Sequence, residues 1–143
     1  MKQRLIHFAT HDLQRAGREV STRSPAHPGE VWTKPQPSLA VSRININASR
    51  YPETLKLRLY CGSRDIHNAL KTEAADHCRE AGLTTATITT PESQNKDPSC
   101  RLAVVIDVAP SKLGPGVDPR LLGPEGWGSF VVSLAGKVQK QFA

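Results

Sequence analysis

The amino-acid sequence predicts a single α+β domain, a mostly antiparallel sheet of four or five strands with one main helix, about residues 65–81, packed on one face. Three observations carry that expectation. Apolar and polar residues alternate through 43–48 and again through 55–61, the period of half-buried strands. At Gly62–Ser63 the period switches to three- and four-residue steps, that of a helix lying on a core. Farther on, Leu102–Val108 is apolar except for Asp107, as expected of a central strand covered on both faces. The alternative is a small α/β unit in which 55–61, the helix and 84–90 form a parallel βαβ crossover. The element order β-β-α-β-β-β favours the α+β arrangement.

In chain order, residues 1–38 read as a polar, Pro-rich leader, with a short helix possible at 4–16. There Leu5, Ile6, Phe8, Ala9, Leu13 and Ala16 form a weak helical stripe. Residues 21–38 hold four prolines and little apolar surface to offset the entropy of ordering them. They are expected to be a linker or strap anchored only by Val31 and Trp32.

Residues 39–143 form the body. Leu39 and Val41 are out of phase with Ile44, so a break is expected near Ser42. Ile44, Ile46 and Ala48 then face the core, with Arg43, Asn45 and Asn47 opposite. After the turn-like 49–54, Leu55, Leu57, Leu59 and Cys61 face one way, while Lys56, Arg58 and Tyr60 face the other. In the helix, Ile66, Ala69, Leu70, Ala74, Cys78 and Ala81 share a face, with Ser63 as N-cap and Gly82 at the C-terminal end. Glu73 and His77 fall on its solvent side. Three more strands are expected at 84–90, 102–108 and 128–134, the last from alternating Phe130, Val132 and Leu134. The connection 110–126, with four prolines and four glycines, is expected to be a mobile loop.

Composition narrows the function classes. The longest apolar run, Leu102–Ile106, falls far short of the roughly 20 residues of a membrane span, so no membrane partner is expected. No apolar h-region follows Lys2 and Arg4, so a secretory signal is not expected here. Cys61, Cys78 and Cys100 form no CxxC and no Cys–His pair at zinc-finger spacing, so metal is not expected. Reduced thiols in a cytoplasmic setting are the simplest account, and a secreted effector lacking a classical signal stays open. The formal net charge is +6, and residues 1–43 contribute most of it, with seven basic and three acidic side chains. Such a field attracts polyanions, nucleic acid above all.

The outward strand face sets Arg43, Asn45, Lys56, Arg58 and Tyr60 side by side. Cations suit phosphates and an aromatic ring suits an unstacked base, so the leading expectation is a non-catalytic module for nucleic acid or a nucleoprotein complex. A second expectation is a protein-binding inhibitor or effector that touches its partner through Val31, Trp32 and the Pro/Gly loop. A third rests on Gly62, Ser63 and Arg64, a strand-to-helix turn that can aim backbone N–H groups at an anion. The stretch Leu57–Asp65 resembles the opening of nucleotide-binding α/β families, which implies a nucleotide-handling enzyme. It lacks the later glycines of GxGxxG, and no Walker lysine pattern occurs in the chain.

No catalytic set is legible. Ser63, His67, His77 and Asp107 have no GxSxG context, and His67 and His77 diverge around the helix. His7 and His11 have metal-capable spacing but no third ligand nearby. No cofactor is expected.

Overall fold

A computed structural model describes residues 2–21 and 28–143. It shows an α+β fold in which a five-stranded, fully antiparallel sheet is covered on one face by helices. The strands are β1 (Glu30–Trp32), β2 (Arg43–Asn47), β3 (Leu55–Cys61), β4 (Thr87–Thr89) and β5 (Leu102–Val108). The helices are α1 (Lys2–Arg15), α2 (Arg64–Glu80) and α3 (Gly126–Phe142). The strand order is β1-β2-β3-β5-β4.

The two expected opening strands pair as the alternation requires, with Arg43 opposite Tyr60, Asn45 opposite Arg58 and Asn47 opposite Lys56. Their other face buries Ile44, Ile46, Leu55, Leu57 and Leu59 completely. Each such Leu or Ile contributes roughly 1.5–3 kcal/mol by leaving water. β5 joins β3 in register, Lys56 opposite Asp107 and Arg58 opposite Val105. Because β3 and β4 both run antiparallel to β5, they are parallel to each other. The βαβ alternative is therefore half right: the crossover exists, with β5 inserted between its strands.

The α2 helix forms where the period switches. The Ser63 side chain accepts from the Ile66 N–H, and Gly82 follows the helix with φ +79°. Leu70, Ala74 and Cys78 are buried as expected. His77 is not on the solvent side. It is 8% exposed, because α3 packs over that flank of α2.

α3 is the main correction to the sequence reading. The strand expected at 128–134 is the first half of a helix. Seven residues of alternation mimic a strand, but Trp127, Phe130, Val131, Leu134, Ala135 and Val138 make a helical stripe, all buried. One main helix therefore becomes three.

The helix expected at 4–16 is present as α1, and it belongs to the core. Leu5, Ala9 and Leu13 are fully buried, and α1 packs along α3. Ala9 approaches so closely that a Cβ at Gly128 would stand 2.7 Å from its Cα. Beyond α1, Arg18 donates from Nη1 to the Val41 carbonyl at 2.6 Å, and burial pulls its pKa down to about 10. Residues 30–32 are an edge strand rather than a strap. Six residues of the expected linker, 22–27, lie outside the described residues. The Pro/Gly connection holds two 3-10 turns, Pro110–Lys112 and Pro119–Leu122, with Val117 and Leu121 buried in the core.

Candidate functional site

The sheet face away from the helices is where the sequence placed the cationic side chains, and the strand registers bring them together. Arg43 and Arg58 are diagonal neighbours across β2 and β3, and Lys56 continues the row along β3. Diagonal pairs of this kind stand about 7–8 Å apart, within reach of long side chains. Arg50, on the turn between β2 and β3, joins them and was missed by the sequence reading, which treated that turn only as a connection.

The face has two depressions. One, of about 120 Å³, is open and lined by Asn47, Ser49, Arg50, Thr54, Lys56 and Arg58. The other, about 320 Å³, is a cleft between Trp32, Arg43, Arg58 and Tyr60 on one side and residues 91–95 on the other. Ala103 and Val105 of β5 also line it. Arg58 borders both.

Residues 91–100, which link β4 to β5, build the cleft wall by turning back over the sheet. An isolated bridge joins Glu92 to Leu102. The Ser93 hydroxyl donates to the Cys100 carbonyl at 2.7 Å, and the Asp97 N–H donates to Asn95 Oδ1 at 2.9 Å. Asp97 accepts from the Ser99 backbone N–H and hydroxyl, which hold its carboxyl below the usual range, with a smaller contribution from the charge of Arg43. The Ser42 hydroxyl donates to the Ser99 carbonyl and ties this wall to the start of β2.

Among the described residues, none of the four ion pairs involves Arg43, Arg50, Lys56 or Arg58. The Arg43 guanidinium lies 4.5 Å from the centre of the Trp32 ring, a cation–π contact. Six buried polar side-chain atoms lack a hydrogen-bond partner among the described residues, and three belong to this face: Arg43 Nε, Arg58 Nε and Asn45 Oδ1. Buried polar groups are normally satisfied, so this clustering marks a place with unmet hydrogen-bonding capacity.

Two of the expected contact residues serve the sheet instead. Asn45 is fully buried, and its amide donates to the Val31 carbonyl at 3.2 Å and to Glu30 at 3.3 Å. Tyr60 is 8% exposed, packed with Cys100, Ala103 and Trp32, so its ring faces are not open platforms. The wall formed by 91–100 covers it, which strand alternation alone does not reveal.

The other candidate groups are separate. Val31 is in the core, 4% exposed, and does not share a surface with Trp32, since neighbours on a strand face opposite ways. At the Gly62–Ser63–Arg64 turn, the Pro98 carbonyl oxygen lies 2.8 Å from where a Gly62 Cβ would stand. Glycine there permits the close approach of 98–99, and the Ser63 hydroxyl is used as the helix cap. Both have structural duties, and Arg64 is exposed.

His67 bonds the Ala103 carbonyl at 3.0 Å, His77 the Phe130 carbonyl at 2.9 Å, and Asp107 accepts from the Thr54 hydroxyl at 3.0 Å. These bonds fix the groups in separate places rather than in one site. Among the described residues, no three His, Cys, Asp or Glu side chains come together to hold a metal. Cys61, Cys78 and Cys100 are free and buried, and burial pushes the Cys61 and Cys78 thiols up to about 11. No helix among the described residues is long and apolar enough to cross a membrane. No family model, curated protein or solved structure matches the chain.

Proposed function

We propose that the protein is a non-catalytic binding protein that holds single-stranded nucleic acid across the open face of its sheet. One observation carries the reading. Arg43, Arg58, Lys56 and Arg50 form a continuous cationic row through both depressions, and no carboxylate pairs with any of them among the described residues. Structural cations are usually paired or scattered. A row without ion-pair partners on a chain of net charge +6 suits a polyanion. The walled cleft, at the small end of the roughly 300–1,000 Å³ range of ligand pockets, favours a single chain over a double helix.

The test is a titration of the full chain with labelled single-stranded RNA, single-stranded DNA and duplex DNA at several salt concentrations. Single strands bind more tightly, and log affinity falls linearly with log salt. Lys56→Gln and Arg50→Gln each reduce the slope by about 0.7, one released counterion apiece. Wild-type protein with no salt-sensitive binding to any polynucleotide refutes the reading.

A further inference from the structure

The two depressions differ in kind, and the cleft is more than a stretch of basic surface. Arg43 and Arg58 converge on it as diagonal neighbours, each with a buried Nε–H that meets no acceptor. Neither guanidinium makes an ion pair among the described residues, and two of them side by side suit a ligand with several acceptor oxygens on one centre. A phosphate group answers that need. Bidentate guanidinium contacts fit its geometry better than a lysine does, and both cations lining the cleft are arginines.

A phosphate alone does not account for the rest of the lining. Val105, Ala103 and Tyr60 are apolar or aromatic and almost fully buried, so that part of the cleft suits a flat, weakly polar group. The amide of Gln94 is exposed beside it. Asn95 spends its Oδ1 on the Asp97 N–H, which leaves its NH₂ to donate. Glu92 stands exposed on the rim, where it repels a bare anion and accepts from a ligand with donors of its own. A base amino group or a ribose hydroxyl is such a donor.

Resting on the single-strand reading above, we infer that the cleft seats one whole nucleotide. Its phosphate lies between Arg43 and Arg58, and its base lies against Val105 and Ala103 beneath the 91–95 wall. The open depression at Lys56 and Arg50 contacts only the backbone of the neighbouring nucleotides. The protein therefore binds nucleoside 5′-monophosphates by themselves, at the same place where the strand is held.

Calorimetric titration of the full chain with the four nucleoside 5′-monophosphates, with adenosine and with inorganic phosphate tests this. Competition of each against a labelled single-stranded oligonucleotide provides the second readout. At least one monophosphate binds about tenfold more tightly than inorganic phosphate and displaces the oligonucleotide. Arg43→Gln weakens monophosphate binding by about tenfold, the worth of a charged hydrogen bond, whereas Lys56→Gln weakens only the oligonucleotide. Gln94→Ala, at an exposed position, alters the preference among the four bases without altering phosphate binding. Inorganic phosphate that binds as tightly as every monophosphate overturns the inference. So does an oligonucleotide that binds with full salt dependence while no monophosphate competes, and that result leaves the function proposed above intact. Failure of the oligonucleotide itself to bind refutes both.

Discussion

Two depressions on different faces of the molecule contain similar side chains in opposite states. On the helical side, a cavity of about 250 Å³ is lined by His77, Glu80, Asp118, Arg120, Phe130 and Ser133, among others. Its charges answer one another: Lys137 meets Glu80 at 3.1 Å, Arg120 meets Asp118 at 2.9 Å, and both ring nitrogens of His77 have partners. On the sheet face, Arg43, Arg50, Lys56 and Arg58 form no ion pair among the described residues, although the charge of Arg43 reaches Asp97 and Lys56 stands opposite Asp107. Pairing within the protein separates the two places: a self-paired cavity gains little from a ligand, and a cleft whose arginines make no ion pair gains much.

The comparison breaks most visibly in stability. Leu70→Ala in α2 and Leu13→Ala in α1 each remove a fully buried side chain from the helical layer, at a cost of about 2–5 kcal/mol. Lys56→Gln on the open face costs under about 0.5 kcal/mol. Urea unfolding followed by circular dichroism measures all three. A Leu13→Ala variant as stable as wild type would show that α1 is an appendage to the fold.

How legible each side was in the sequence follows from the range of the interactions. Strand alternation and the switch at Gly62–Ser63 are local, so β2, β3 and α2 were readable with their facing residues. Arg43, Lys56 and Arg58 were placed on one face by the same logic, and the registers bring them together. Two features were hidden. The stripe of α3 emerges only when the window extends past Leu134 to Val138, and a shorter window reads as a strand. The return of 91–100 over the sheet depends on contacts such as Ser42 to Ser99 and Gly62 to Pro98, between segments distant in sequence. Glycine at 62 was visible, but a capping turn and a close approach use the same residue. Burial of Tyr60 follows from those packing contacts and that of Asn45 from its bonds to Glu30 and Val31 of β1, so both escaped alternation too.

Arg58 sharpens the contrast on the binding side, because it borders both depressions of the open face. Arg58→Gln reduces the salt slope for a single-stranded oligonucleotide by about 0.7, as Lys56→Gln does. It also weakens monophosphate binding, which Lys56→Gln does not. Arg120→Gln, at the self-paired cavity, changes neither, although it also removes one positive charge. Equal losses from Arg120→Gln and Arg58→Gln would mean that net charge, and not the open face, governs binding.

The smallest effect belongs to the self-paired cavity and concerns pH. The His77 Nε2–H donates to the Phe130 carbonyl at 2.9 Å, and Nδ1 accepts from Lys137 Nζ at 3.0 Å, so the ring is neutral. Burial depresses its pKa below 6.5; the Phe130 carbonyl acts the other way, Lys137 lowers the pKa further, and Glu80 and Glu73 partly oppose that. Between the folded value and 6.5 the unfolded chain binds the proton that the folded chain refuses, so stability rises with pH across that window. Its contribution is complete above the unfolded value of about 6.5 and is lost as pH falls through the folded one. Urea midpoints at about pH 8 and about pH 5 should therefore differ for wild type, and differ less for His77→Gln, which has no titrating ring. Lys137→Met removes one of the two lowering influences, so it raises the folded pKa and narrows the window. At the higher pH it costs at most about 1 kcal/mol, the worth of an exposed ion pair. If His77→Gln loses as much stability between the two pH values as wild type does, His77 is not the titrating group and the cavity is not neutral by design of its pairing.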